Sequence, residues 1–214
     1  MTPKLNRVII ADDHGIVRRG ISNIIRENWS AVDVLEARTL EEALHCLQKP
    51  VDLLILDINL PGGNNVAMLD MVKRMQHTTK ILIFSSYDEK IFAPRYIQAG
   101  ANGYLNKISE EPDIIMAIKT VMEGRKYVSE QMKDGLLDTF LGNNEKNQDP
   151  MDLLSEREME VVLYLSQGKG VLEISMIMNL KMGTVSTYKV RAFEKLGVNN
   201  IVELAEKLKL YATY

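Results

Sequence analysis

Apolar positions along the chain follow two rhythms. Over residues 7–124, short unbroken apolar runs alternate with stretches in which apolar residues return every three or four positions. The runs fall at 8–11, 32–37, 51–56, 81–84 and 103–105, each of strand length. Those at 51–56 and 81–84 show no polar alternation, the mark of strands covered on both faces. Between the runs, Ile16, Ile21, Ile24 and Ile25 predict a first helix, and Leu40, Ala43, Leu44 and Leu47 a second with Thr39 as its N-cap. Val66, Leu69, Val72 and Met75 predict a third. Another opens at Ser109, carries Ile114, Ile115, Ala117, Ile118, Val121 and Met122, and stops at Gly124. Strand and helix in alternation predict an α/β doubly wound five-stranded parallel sheet over residues 1–124.

A different rhythm follows. Residues 125–150 read as a linker with a helix at 129–141, capped by Ser129 and carrying Met132, Leu136, Leu137 and Phe140. The stretch 142–150, GNNEKNQDP, has no apolar residue. Extended, it reaches roughly 30 Å. Residues 151–214 read as an all-α domain of four helices. Ser155 and Glu158 form a capping box ahead of Met159, Val162, Leu163 and Leu165. A short helix at 171–178 and a tight connection at 179–183 lead to a helix capped by Thr184 and stopped by Gly197. The last helix covers about 200–210.

Length and composition fit this plan. The 214 residues suit two domains, and 46% hydrophobic with 26% charged residues is ordinary for a folded chain. No apolar run approaches the ~20 residues of a membrane span, and the N-terminus lacks the long apolar core of a signal peptide. A single cysteine, Cys46, forms no internal disulfide and reads as a core residue of the second helix. A cytoplasmic chain is the expectation. The net charge of −3 does not advertise nucleic-acid binding, yet Lys181, Lys189, Arg191 and Lys195 crowd residues 181–195 against Glu194 alone.

The chemistry gathers at strand ends. In a doubly wound sheet, ligands bind beyond the carboxyl ends of the strands. Asp12 and Asp13 end the first strand, Asp57 the third and Ser85 the fourth, and Lys107 follows the fifth. One Asp in such a place also serves as a turn or cap. Five such residues on four strand ends point to one crevice. Three carboxylates together repel unless a cation joins them, and hard oxygen ligands with room for water suit Mg²⁺. A hydroxyl and an ammonium beside them suit a phosphoryl group.

These residues carry a resemblance. VIIADDH, LLILDINLPGG, ILIFSS and GYLNK resemble the receiver domain of bacterial two-component response regulators over residues 6–124. The resemblance implies that Asp57 accepts a phosphoryl group from a histidine kinase. It also implies Mg²⁺ held by Asp13, Asp57 and the carbonyl of Asn59, with Asp12 acting through water. Ser85 and Lys107 would bind the phosphoryl oxygens, and Tyr104 would be the switch aromatic. The family often has Thr at the Ser85 position, and many members follow the lysine with proline, where this chain has Ile108.

In the last domain, the short helix, tight turn and basic helix form a helix-turn-helix candidate. Val185, Phe193 and Leu196 are expected to face its core, with Ser186, Thr187, Lys189 and Val190 facing out. Thr184 at the cap would offer its N–H to a phosphate, and Lys181 and Arg191 add charge. Residues 153–198 resemble the LuxR-family DNA-binding domain through LSERE, TVSTYK and EKLGV. Val171 and Leu172 depart from it, standing where the family has a polar pair. A receiver followed by this domain is similar to the NarL/FixJ class. The resemblance implies a transcription regulator, not an enzyme, that binds a double-stranded operator with inverted repeats as a homodimer. A haloacid-dehalogenase-type phosphatase needs a second acid two residues after its nucleophile, where this chain has Asn59. A ligand-gated LuxR regulator needs an apolar pocket that the strand–helix pattern leaves no room for. A regulator that uses its receiver only for interaction, without phosphorylation, is the remaining alternative.

Overall fold

Unbroken apolar runs pair most stably where both faces are covered, and they build the centre of a parallel sheet. The computed structural model describes residues 4–63, 66–87, 89–130, 132–133 and 153–212. The strands are β1 (Arg7–Ala11), β2 (Asp33–Ala37), β3 (Leu53–Leu56), β4 (Lys80–Ser85) and β5 (Gly103–Asn106). They lie parallel in the order β2-β1-β3-β4-β5. β3 is buried throughout, whereas β2, at the edge, is half-exposed. The order reverses between β1 and β3, and that reversal opens a crevice at their carboxyl ends. Ala11 pairs with Leu56 there, so Asp12 and Asp57 leave the sheet side by side.

The crossover helices are α1 (Gly15–Asn28), α2 (Leu40–Cys46), α3 (Ala67–Met75), α4 (Glu89–Gln98) and α5 (Glu111–Met122). Val8, Ile10, Leu53, Ile55, Leu82 and Phe84 meet Ile21 and Ile25 of α1 and Ile114, Ile118 and Val121 of α5 in one core. Thr39 caps α2 as expected, its Oγ1 accepting from the Glu42 N–H at 3.2 Å.

Several expectations need correcting. Ile16 does not join the α1 core face; it is 80% exposed. Ile21 lies five residues on, which at about 100° per residue places Ile16 some 140° around the helix. Cys46 is half-buried, not core. α4 has no counterpart in the sequence reading, because Pro94 stands inside it and proline ordinarily ends a helix. Its buried Phe92, Ala93 and Tyr96 hold it to the sheet. α5 starts at Glu111, with Glu110 as N-cap and Pro112 in its first turn. Ser109 is not the cap, and proline's fixed φ suits the first turn better. Past α5, Tyr127 forms a parallel bridge to Gly103, and its carbonyl accepts from the Tyr104 N–H at 2.9 Å.

The chain divides into two compact units, Met1–Leu137 and Asp138–Tyr214. The expected helix at 129–141 lies mostly outside the described residues, although Ser129 does accept from the Met132 N–H. The expected linker at 142–150 lies outside them entirely.

The second unit contains α6 (Glu156–Ser166), α7 (Val171–Ile177), α8 (Met182–Leu196) and α9 (Ile201–Ala212). The Ser155–Glu158 capping box is present in both directions. Asn179 takes a left-handed φ of 52°, and the Leu180 N–H reaches the Ser175 carbonyl at 2.9 Å, which closes α7. Gly197, at φ 62°, closes α8. Asn200 caps α9 by accepting from the Glu203 N–H at 2.9 Å. Thr184 is not the α8 cap. Lys181 is, and the Thr184 N–H is spent on the Lys181 carbonyl at 2.9 Å.

Gly103 carries a packing constraint. A Cβ there would lie 2.9 Å from Leu82 Cδ1 and 3.1 Å from the Tyr127 carbonyl oxygen. Gly103→Ala should cost the first unit about 1–3 kcal/mol by overpacking. Hydrogen exchange should show the Tyr104 amide losing protection more than the β1 amides.

Candidate functional site

Loop residues just past β1, β3 and β5 meet in the crevice. Asp12 and Asp57 are buried, at 2% and 4% exposure, and Asp13 is exposed. The Lys107 ammonium bridges the buried pair, 2.8 Å from Asp57 Oδ2 and 2.6 Å from Asp12 Oδ2. Backbone donors steady the acids. The Asn59 N–H donates to Asp57 Oδ1 at 3.2 Å, and the His14 N–H to Asp12 Oδ1 at 2.8 Å. The His14 ring Nδ1 lies 2.6 Å from Asp13 Oδ1. One ligand atom from each of Asp12, Asp13, His14 and Asp57 lies within 4.8 Å of all the others. That spread fits one cation, and the carboxylate oxygens suit a hard divalent ion.

Burial pushes the Asp57 carboxyl above the usual carboxylate range. Lys107 pulls it partly back, and Asp12 adds to the rise. Burial alone would lower Lys107, but the two carboxylates outweigh it and hold the ammonium proton more firmly than usual.

Ser85, at the end of β4, is fully buried, and its Oγ accepts from the Tyr87 N–H at 3.2 Å. The Tyr87 carbonyl accepts from the Tyr104 hydroxyl at 3.1 Å and from Asn106 Nδ2 at 3.1 Å. Tyr104 is fully buried, 6.5 Å from Tyr96 by ring centroids. Among the described residues the peptide bonds are trans, including the one joining Lys107 to Ile108.

In the second unit, Val185, Ala192, Phe193 and Leu196 of α8 are buried. Lys181, Ser186, Thr187, Val190 and Arg191 are exposed, and Thr184 is half-buried. Thr187 Oγ1 donates to the Gly183 carbonyl at 2.9 Å. Lys189 departs from the expected outward face. It follows Thr187 by two residues, about 200° around the helix, and its half-buried stem sets Nζ 5.3 Å from the Phe193 ring centroid. Arg191 takes its place beside Thr187 and Val190.

Sequence reasoning passed over three participants. Arg18 is 5% exposed and donates from Nη1 to the Asp12 carbonyl at 2.8 Å and from Nε to Glu36 at 2.9 Å. Its spacing, three residues before Ile21 and seven before Ile25 on the buried face of α1, is the signal the sequence offers. Tyr87 joins Ser85 to Tyr104 through its backbone, which leaves no trace in residue type. His14 is the α1 N-cap, and its ring also belongs to the acid cluster.

A response regulator receiver domain model matches residues 8–119, and a bacterial regulatory protein model of the luxR family matches 152–208. The chain belongs to the NarL/FixJ class of response regulators and is a DNA-binding response regulator in architecture: a receiver followed by a LuxR-type helix-turn-helix domain. It is 34% identical to the Fimbriae Z protein of Escherichia coli K12 over 97% of this chain and 98% of that one. It is 32% identical to the response regulator UvrY of the same organism over 92% and 90%. A solved structure of RcsB from Salmonella enterica serovar Typhimurium, bound to promoter P1flhDC with phosphomimetic BeF3⁻, matches with TM-score 0.58 and 27% identity, covering 96% of this chain and 98% of that one. The family is one of transcription regulators. Among the described residues, no helix is long and apolar enough to cross a membrane.

The charge balance sets a pH-dependent stability. Asp57 is raised in the folded state, so ionising it favours the unfolded chain, and stability declines as pH rises from the unfolded carboxylate value of ~3.9. In metal-free buffer at pH 7, Asp57→Asn should melt higher than the parent. The gain should vanish as the pH falls to that value, as followed by thermal unfolding across pH.

Proposed function

We propose that the chain is a phosphorylation-controlled transcription regulator in which Asp57 accepts the phosphoryl group of a histidine kinase. The observation that carries this is the convergence of Asp12, Asp13, Asp57 and Lys107 on one crevice, upstream of a helix-turn-helix in the same chain. An Asp57 oxygen attacks the phosphorus of a phosphohistidine, and the P–N bond breaks with its electron pair left on the imidazole. Asp13, Asp57 and the Asn59 carbonyl, with Asp12 acting through water, would hold Mg²⁺, which when bound would supply charge neutralisation between the acids and the phosphoryl oxygens. Lys107 already touches Asp57 and donates to the phosphoryl group.

Ser85 gives the signal its path. Its hydroxyl turns to the phosphoryl group and releases the Tyr87 N–H. Because the Tyr87 carbonyl holds the Tyr104 hydroxyl, the Ser85–Tyr87 loop transmits the change to Tyr104 and β5.

The second unit reads double-stranded DNA through α8. Ser186, Thr187 and Val190 face base edges near its N-terminus, while Lys181, Arg191 and, from the flank, Lys189 meet phosphates. The Thr184 side chain, half-buried, supports the turn. One such module makes few contacts. Two copies on an inverted repeat, with half-sites about 34–36 Å apart, supply the rest. The exposed Ile201 and Val202 of α9, at 43% and 68%, are the dimer contact. Such a regulator works in the cytoplasm, which also suits the single thiol of Cys46.

Acetyl phosphate with Mg²⁺ should add one phosphoryl group of about 80 Da to the parent. Asp57→Asn or a chelator should abolish it, and the same adduct on Asp57→Asn by intact mass would reject the assignment. For DNA, Arg191→Ala should weaken binding to all sequences and flatten the salt dependence, while Val190→Ser should change which bases are preferred. Binding across a randomised operator library at two salt concentrations checks both. Uniform loss in both variants would remove the groove assignment.

A further inference from the structure

We infer that Arg18 is a positioning residue for the cation-binding acids and acts on them through the backbone carbonyl of Asp12. The inference rests on the functional reading above.

Arg18 sits one turn into α1, and its side chain is nearly inaccessible, at 6% exposure. Its Nη1 donates to the Asp12 carbonyl at 2.8 Å, and its Nε to Glu36 Oε2 at 2.9 Å. That carbonyl has no place in the helix ladder. The N–H groups of Val17 and Arg18 go to the His14 carbonyl, so the ladder begins two residues later. On the other side of Asp12, its N–H donates to the Ala37 carbonyl at 3.1 Å. Ala37 follows Glu36 on β2. The end of β2 and Arg18 therefore hold Asp12 from both sides, through its N–H and its C=O.

The Asp12 carbonyl lies in the peptide plane that joins Asp12 to Asp13. Turning that plane re-aims the Asp13 carboxylate relative to those of Asp12 and Asp57. A buried carbonyl deprived of its donor turns to find another. Arg18 prevents this, and its fork geometry satisfies Asp12 and Glu36 at once. Glu36 is 42% exposed and neutralises the guanidinium, so the effect on the acids runs through geometry more than through charge.

The test uses the full-length chain. MgCl2 is titrated while the Asp13 and Asn59 amides are followed by NMR, and the rate of acetyl phosphate labelling is measured against Mg²⁺ concentration. Arg18→Met should weaken Mg²⁺ binding by about tenfold or more, the range for lost outer-shell partners. At saturating Mg²⁺ its labelling rate should return to within about threefold of the parent, a split that a merely structural role would not produce. Glu36→Gln keeps an oxygen for Nε and should bind Mg²⁺ within about twofold of the parent, because the bond to Asp12 survives. Arg18→Met binding Mg²⁺ as the parent does overturns the inference. So does Glu36→Gln losing as much as Arg18→Met, which would assign the effect to the ion pair. If Arg18→Met does not fold, Arg18→Lys decides. One ammonium cannot span both partners, so weakening of about threefold supports the inference and unchanged affinity overturns it. A parent that binds no Mg²⁺ overturns the functional reading itself.

Discussion

Three carboxylates at one end of a parallel sheet repel one another, and the Lys107 ammonium is what allows Asp12 and Asp57 to be buried side by side. It lies within 2.8 Å of both. The cost is visible in Asp57, whose carboxyl stays raised by burial even with this partner. A site that carries this repulsion without its ligand is poised to accept a cation, which relieves it and offsets the charge of an incoming phosphoryl group. Stability and function oppose each other at this point.

The strain is local because the sheet beneath it is not strained. β1, β3 and β4 bury continuous apolar runs on both faces, so the loops that follow them are held in fixed register. Lys107 joins the crevice from the end of β5, and its N–H donates to the carbonyl of Ser85 at the end of β4 at 2.8 Å. Tyr87 and Tyr104 then extend its hydrogen bonds away from the acids, through backbone atoms of one loop. In the second unit, capping plays the corresponding part. The Ser155–Glu158 box, the left-handed Asn179 and Gly197, and the Asn200 cap fix where each helix starts and stops. The Lys195 ammonium, 2.6 Å from Glu158, ties the end of α8 to the start of α6.

What could be read from the sequence follows the same physics. The five strands were legible because buried parallel strands need unbroken apolar runs. The crevice residues were legible because strand ends converge. α4 was hidden because Pro94 contradicts its helix locally, while Phe92, Ala93 and Tyr96 override that by packing. Thr184 looked like a cap by residue type, but the helix had already begun at Met182. Lys189 looks solvent-facing by charge, but it is half-buried with its ammonium over the Phe193 ring. Arg18 has no place in the sequence reading, because its partner is a backbone carbonyl that no residue type announces.

The proposed control of the DNA-binding unit by the acid crevice runs through Ser85. The direct measurement is operator affinity of the full chain, on a site selected from a random library, with and without Mg²⁺ and beryllofluoride, for the parent and for Ser85→Ala. Beryllofluoride should change the parent's affinity by about 5–150-fold, the range of ordinary allosteric coupling. In Ser85→Ala the change should be lost while beryllofluoride still binds. A parent whose affinity is the same in both conditions, or a Ser85→Ala variant that responds as fully as the parent, would contradict it.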